Sequence, residues 1–160
     1  MDRWFVAAGL LFGLGLGGFF DGIVLHQILQ WHHMVSHVEE YPATTVAGLE
    51  ANTLGDGLFH AATYVFVVAG LWCLWRYGGR EDRPWSTGAF IGLLLIGFGA
   101  FNVVEGIVDH HLLELHHVRE DSGNQLAWDL GFLAWGAVML TAGWWLYRRN
   151  RVEGGSTATG

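Results

Sequence analysis

Two stretches of this 160-residue chain carry the same residues in the same order, 84 positions apart: Asp21-Gly-Ile-Val-x-His-x5-His-His33 and Glu105-Gly-Ile-Val-x-His-x5-His-His117. Across residues 20–33 and 104–117, seven of 14 positions are identical, and Glu105 stands where the first copy has Asp21. Imidazoles and carboxylates without thiols are ligands for zinc, iron, copper(II) or manganese. More such groups flank the motifs: Asp56 and His60 at i, i+4, Asp109 inside the second copy, and Asp129. All nine histidines and 11 of the 15 acids fall within residues 21–60 and 105–129, so the pattern is a constellation and not a scatter.

On an α-helical wheel with Asp21 at 0°, His32 falls at about 20°, His33 at about 120° and His26 at about 140°. One arc therefore holds the whole first motif, and Glu105, Asp109, His110, His116 and His117 repeat it. The expected metal ligands are His26, His33, His110 and His117, with His60 from another helix, followed by Glu105, Asp109, His32 and His116. Asp21, Asp56 and Asp129 are ligands, partners that orient the imidazoles, or proton carriers. So many groups imply two or more ions of copper, iron or zinc. Glu114-x-x-His117 has the spacing of di-iron bundles, but Glu114 lies at the margin of the arc. His37 and His111 read as surface residues. The competing interpretation is plainer: Asp21 and Glu105 share a proton between helices, and the His-His pairs are solvated helix ends.

The elements that carry these groups follow from composition. The chain is 52% apolar and only 14% charged, with 24 glycines and a net charge of −7. All eight basic residues are arginine, which gives no nucleic-acid surface, and the single Cys73 has no disulfide partner. Residues 4–20, 57–75, 86–104 and 130–147 are free of charge, and Asp21 alone separates the first stretch from residues 22–34. Each approaches the roughly 20 residues that a helix needs to cross a bilayer core. The expected fold is an all-α integral membrane protein, a bundle of four transmembrane helices within residues 1–152. It is built as two parallel helix-pair repeats, about 4–77 and 86–150, with the first and third helices facing each other. The repeats predict a site near their interface. Residues 153–160 read as a disordered tail.

Seven of the eight arginines lie at the two ends of the chain or between the second and third spans. By the positive-inside rule both termini are cytoplasmic, and the motifs face outward across a bacterial inner membrane. A rise of about 1.5 Å per residue then leaves Asp21 inside the hydrocarbon and His33 beyond it. An ionisable group there costs roughly 2.5–3.5 kcal/mol on insertion scales, so it belongs in the bundle interior with a function. The glycines of residues 13–18 and 97–99 suit close helix packing. Residues 36–55 form a longer first loop, with a short helix that could lie over the site.

The motif, together with Gly18-Phe-Phe-Asp-Gly-Ile-Val-Leu-His26 and Phe101-Asn-Val-Val-Glu-Gly-Ile-Val-Asp-His-His111, resembles an uncharacterised bacterial family of small four-helix membrane proteins. The family is catalogued as a domain of unknown function, so the resemblance implies the fold and no activity. Its members look to be linked with a copper-oxidase assembly family, which implies copper and, as partners besides the lipid bilayer, a respiratory oxidase or its assembly factors. The histidines are also similar in spirit to the boxes of membrane desaturases, but their spacing and side differ. The residues point to a membrane metalloprotein with a polynuclear His/carboxylate site doing redox or oxygen chemistry. Metal transport or chaperoning, a zinc hydrolase, a b-type haem protein and an oxidase accessory subunit remain open. So does a homo-oligomer.

Overall fold

The computed structural model describes residues 2–79 and 84–151. Arg80 and Arg83, used in the orientation argument, and the 153–160 tail lie outside them. Every regular element among the described residues is helical. Helix α1 (Arg3–Phe19) runs on into a π-helical segment, Phe20–Ile28, and α2 covers Val46–Gly78. Helix α3 (Thr87–Ile107) likewise continues into a π-helical segment, Val108–Leu112, and α4 covers Gln125–Asn150. With these continuations, four helices of 26 to 33 residues are long and apolar enough to cross a membrane.

Each α-helix opens on a residue whose side chain takes up an otherwise unpaired backbone N–H. Asp2 accepts from Trp4 N at 2.7 Å, Thr45 from Gly48 N at 3.1 Å, Ser86 from Ala89 N at 3.3 Å and Asn124 from Ala127 N at 3.2 Å. The Thr45 cap starts α2 eleven residues before the charge-free stretch at residue 57. Residues 46–55 are thus the first turns of α2, not a separate helix laid over a loop. Asn52, fully buried, ties the preceding loop to these turns. Its amide accepts from Val35 N at 3.0 Å and donates to Tyr41 O at 2.8 Å and Gly48 O at 2.9 Å.

Helix α1 packs against α2 and α3, and α3 packs against α4, so the two motif-bearing helices form the centre. Exposed Leu58, Tyr64, Val65 and Leu71 make α2 a lipid-facing wall. The contact between α1 and α3 is reciprocal around one glycine pair. A Cβ on Gly13 would run into Leu94 O and the Cα of Gly97; one on Gly97 would run into Leu10 O and the Cα of Gly13. These contacts follow the 84-residue offset of the sequence. Close backbone approach of this kind holds membrane helices together where no hydrophobic drive exists between them.

Aromatic rings mark both ends of the bundle. Trp4 meets Trp72 edge-on at 5.0 Å with Arg76 over both rings, and at the opposite end Trp31 meets Trp128 at 5.1 Å with Arg119 over both. Gly13→Val should destabilise the detergent-solubilised protein by at least the roughly 1–3 kcal/mol of an overpacked core. Thermal melting followed by circular dichroism checks this. Gly57→Ala, whose Cβ would meet nothing within 4 Å of this helical position, is the control expected to hold or slightly raise the melting temperature.

Candidate metal centre

The π-helical segments place the chemistry. Asp21 and His26 are five residues apart, as are Glu105 and His110, which on an α-helix leaves them about 140° apart. A π-helical turn, with its i→i−5 hydrogen bonds, brings such residues onto one face. The widening shows in Leu29 N donating to Val24 O and Leu113 N to Val108 O, both at 2.8 Å. As a result His26 Nε2 lies 2.9 Å from Asp21 Oδ2, and His110 Nε2 lies 3.0 Å from Glu105 Oε1.

Helical structure then stops, before either His-His pair. Gln30 (φ 51°) and Glu114 (φ 49°), again 84 residues apart, turn the chain through the left-handed region that non-glycine residues seldom enter. Each turn is closed by a longer bond, Trp31 N to Leu25 O and Leu115 N to Asp109 O, both at 2.9 Å. The chain folds back and inserts His32 and His116 beside the helix ends. Their rings stack at 4.4 Å with planes 7° apart, in the middle of the cluster. His32 Nε2 stands 3.7 Å from Asp21, and His116 Nε2 stands 3.9 Å from Glu105. His26, His32 and His116 offer ring nitrogens within 4.8 Å of one another, and Glu105, His110 and His116 offer ligand atoms within the same reach.

Behind this core, Asp56 and Asp129 set the imidazoles. Asp56 accepts from Nδ1 of His26 at 2.8 Å, Nδ1 of His33 at 2.7 Å and the Met34 N–H at 2.9 Å. Asp129 accepts from Nδ1 of His117 at 2.7 Å and the Val118 N–H at 2.9 Å, with His110 Nδ1 at 3.6 Å. His32 Nδ1 donates to Val118 O at 2.8 Å. With Nδ1 holding the hydrogen, His32 turns an Nε2 lone pair toward Asp21, and His26 turns its Nε2 toward the same carboxylate.

The electrostatics sharpen the point. Burial, aided by His26, outweighs the pull of Asp21 and holds His32 down to about 4. Burial, with His32 and His110, holds His116 well below the usual imidazole range. Both rings are therefore neutral at neutral pH and face carboxylates across gaps too long for hydrogen bonds. Buried Nε2 atoms of His26, His32, His110 and His116, and both carboxylate oxygens of Asp21 and Glu105, have no hydrogen-bond partner. One proton answers one such contact; a cation answers several at once. Ligands about 2.0–2.2 Å from a zinc-sized ion stand roughly 3–3.5 Å apart, near the separations found here.

The remaining candidates sit elsewhere. His33 and His117, ranked with the expected first ligands, turn Nδ1 to the buried Asp56 and Asp129 instead, and their side chains are 19% exposed. His60 faces Gly22, between Phe19 and Phe59, and joins neither cluster. Asp109 is half-buried on the wide turn and also joins neither. His37, His111 and Glu114 are exposed.

A family model described as "Predicted membrane protein (DUF2243)" matches residues 8–150, nearly the whole chain. The chain belongs to this family. No curated protein and no solved structure matches it. The DUF2243 match spans both motif copies and all four helices, so it covers every residue of the centre and assigns none of them a role. In this DUF2243 member Asp56 is the most heavily used acceptor of the site. Asp56→Ala strands two imidazoles and a backbone N–H and should cost about 3–5 kcal/mol. Thermal unfolding in detergent reads it, and Asp129→Ala should move in the same direction.

Proposed function

We propose that this chain is an integral membrane metalloprotein that holds two or more transition-metal ions in its His/carboxylate cluster. The observation that carries this reading is the pair of buried groups whose carboxylates meet no donor but the imidazoles themselves: Asp21 with His26 and His32, and Glu105 with His110 and His116. Two imidazoles and one carboxylate per ion is the ligand set of non-haem iron oxygenases, and it also suits zinc and copper(II). Bound there, such ions would supply Lewis-acid or one-electron chemistry. The metal that fits the redox reading is iron or copper; zinc would make the same ligands hydrolytic.

The chain's own residues have distinct parts in this scheme. Asp56 and Asp129 fix imidazole tautomers, so that ligand nitrogens are presented without reorganisation. Asp56 also joins buried His26 to partly exposed His33, a ready route for a proton between the core and the outer surface. Leu25, Val118 and Phe132 form a buried apolar patch beside the cluster that shields it from water. The stacked His32 and His116 rings occupy the centre where a haem would have to lie, which favours separate ions over a b-type haem.

Facing the outside of a bacterial inner membrane completes the proposal, and the Arg76–Trp4–Trp72 cluster at the end opposite the site supports that orientation. Elemental analysis of the purified chain should give two or more iron, copper or zinc ions per molecule. The His26→Ala, His110→Ala double variant should lose them. Protein that folds, is purified without chelators and is reloaded with each of these metals, yet binds none, overturns the reading. Full occupancy in the double variant would move the site away from these residues.

A further inference from the structure

Beside the first motif the protein has a polar cavity of about 590 Å³, bounded by Gln27, His32, His33, Ser36, Asp56 and Glu120. Its other walls are the chain at Gln30, Trp31 and Ala43, the start of α2 at Leu49 and Thr53, and Asp121. Three carboxylates line it; Asp121 is paired with Arg119 at 2.8 Å, which leaves Asp56 and Glu120 as those with no arginine partner. Two residues of the candidate centre form its inner wall. His32 is 2% exposed with its Nε2 unpartnered, and Asp56 carries the imidazoles of His26 and His33.

The opposite flank is different in kind. There a groove of about 600 Å³ between the end of the first span and α4 is lined by apolar side chains, among them Leu25, Leu29, Trp128, Phe132 and Trp135. Phe132 packs against the His110 ring at 5.4 Å and closes that side with hydrocarbon. A charged, hydrated species finds ligands in the first cavity and none in the second. A cleft lined by charge of one sign also raises the local concentration of the opposite ion and its association rate by about 10–10³-fold.

We infer that the polar cavity is the entry vestibule for a hydrated divalent transition-metal ion, with His33, held by Asp56, as its inner ligand and His32 as the first residue of the core that the ion meets. The inference rests on the metalloprotein reading and adds a route and a side: loading occurs from the first repeat. Glu120, which accepts from Ser36 Oγ at 2.8 Å, draws the ion to the mouth. His33, bound to Asp56 through Nδ1, keeps its other ring nitrogen for the passing ion.

The test is the rate of Co²⁺ and Zn²⁺ uptake by metal-stripped full-length protein in detergent. Thr53→Trp fills the vestibule from an exposed position and should slow uptake about tenfold or more without changing the final number of ions. Ala127→Trp, in the apolar groove, should load at the wild-type rate. Thr53→Cys blocked by a bulky disulfide-forming reagent and then freed by reductant gives the same comparison on one folded sample. His33→Ala should also load slowly. Uptake at the wild-type rate in blocked Thr53→Cys and in His33→Ala overturns the vestibule while leaving the metal centre standing. Wild-type protein that takes up no ion overturns both.

Discussion

A carboxylate and an imidazole nitrogen buried against each other in an apolar bundle need a proton or a cation between them, and the motif-bearing end of this protein is arranged around two such contacts. Each requires that residues five apart share a face, which an α-helix does not provide. The helices therefore widen at Phe20–Ile28 and Val108–Leu112. Widening in turn releases the chain through a left-handed residue, and only that reversal lets His32 and His116 enter the core. Backbone groups freed in this way must be paired where water is scarce. The bonds from Leu29, Trp31, Leu113 and Leu115 back to carbonyls five and six residues earlier do this.

The bundle below supplies the rigid support. Gly13 against Gly97 fixes how closely α1 and α3 approach, and hence how far apart the two wide turns stand. From the flanks, α2 brings Asp56 and α4 brings Asp129, each to a buried position behind the imidazoles. Asn52, one turn above Asp56, pins the loop that follows His33. Centre, cavity and loop are thus tied to the same two turns of α2.

Most of this architecture was legible in the residues. The charge-free runs gave the spans, the duplicated motif gave the pairing of α1 with α3, and the acids inside the apolar runs gave the location of the cluster. Which histidines of the motif enter the core was not legible. Extending an ideal α-helix through His33 put His33 and His117 ahead of His32 and His116, whereas the chain leaves the helix at Leu29. Neither Gly nor Pro marks that exit; Gln30 and Glu114 take the left-handed conformation. The available signal was the i, i+5 spacing of acid and histidine in both copies, a spacing that makes no sense on an α-helix. Asn52 gave no signal at all, because a lone asparagine in a polar stretch looks like any loop residue.

The stack of His32 on His116 has a consequence for how such a protein can change over generations. Two separate copies of one helix pair, assembled face to face, would bring identical rings together at this point, and any change in one would appear in the other. Joined in one chain, the halves are released from that obligation. His60 packs against Gly22 while Leu133 occupies the matching place against Gly106, and Asp109 stands where the first half has Leu25. Tandem fusion thus permits what a symmetric pair forbids: one half can specialise in exchange with the surroundings while the other stays sealed.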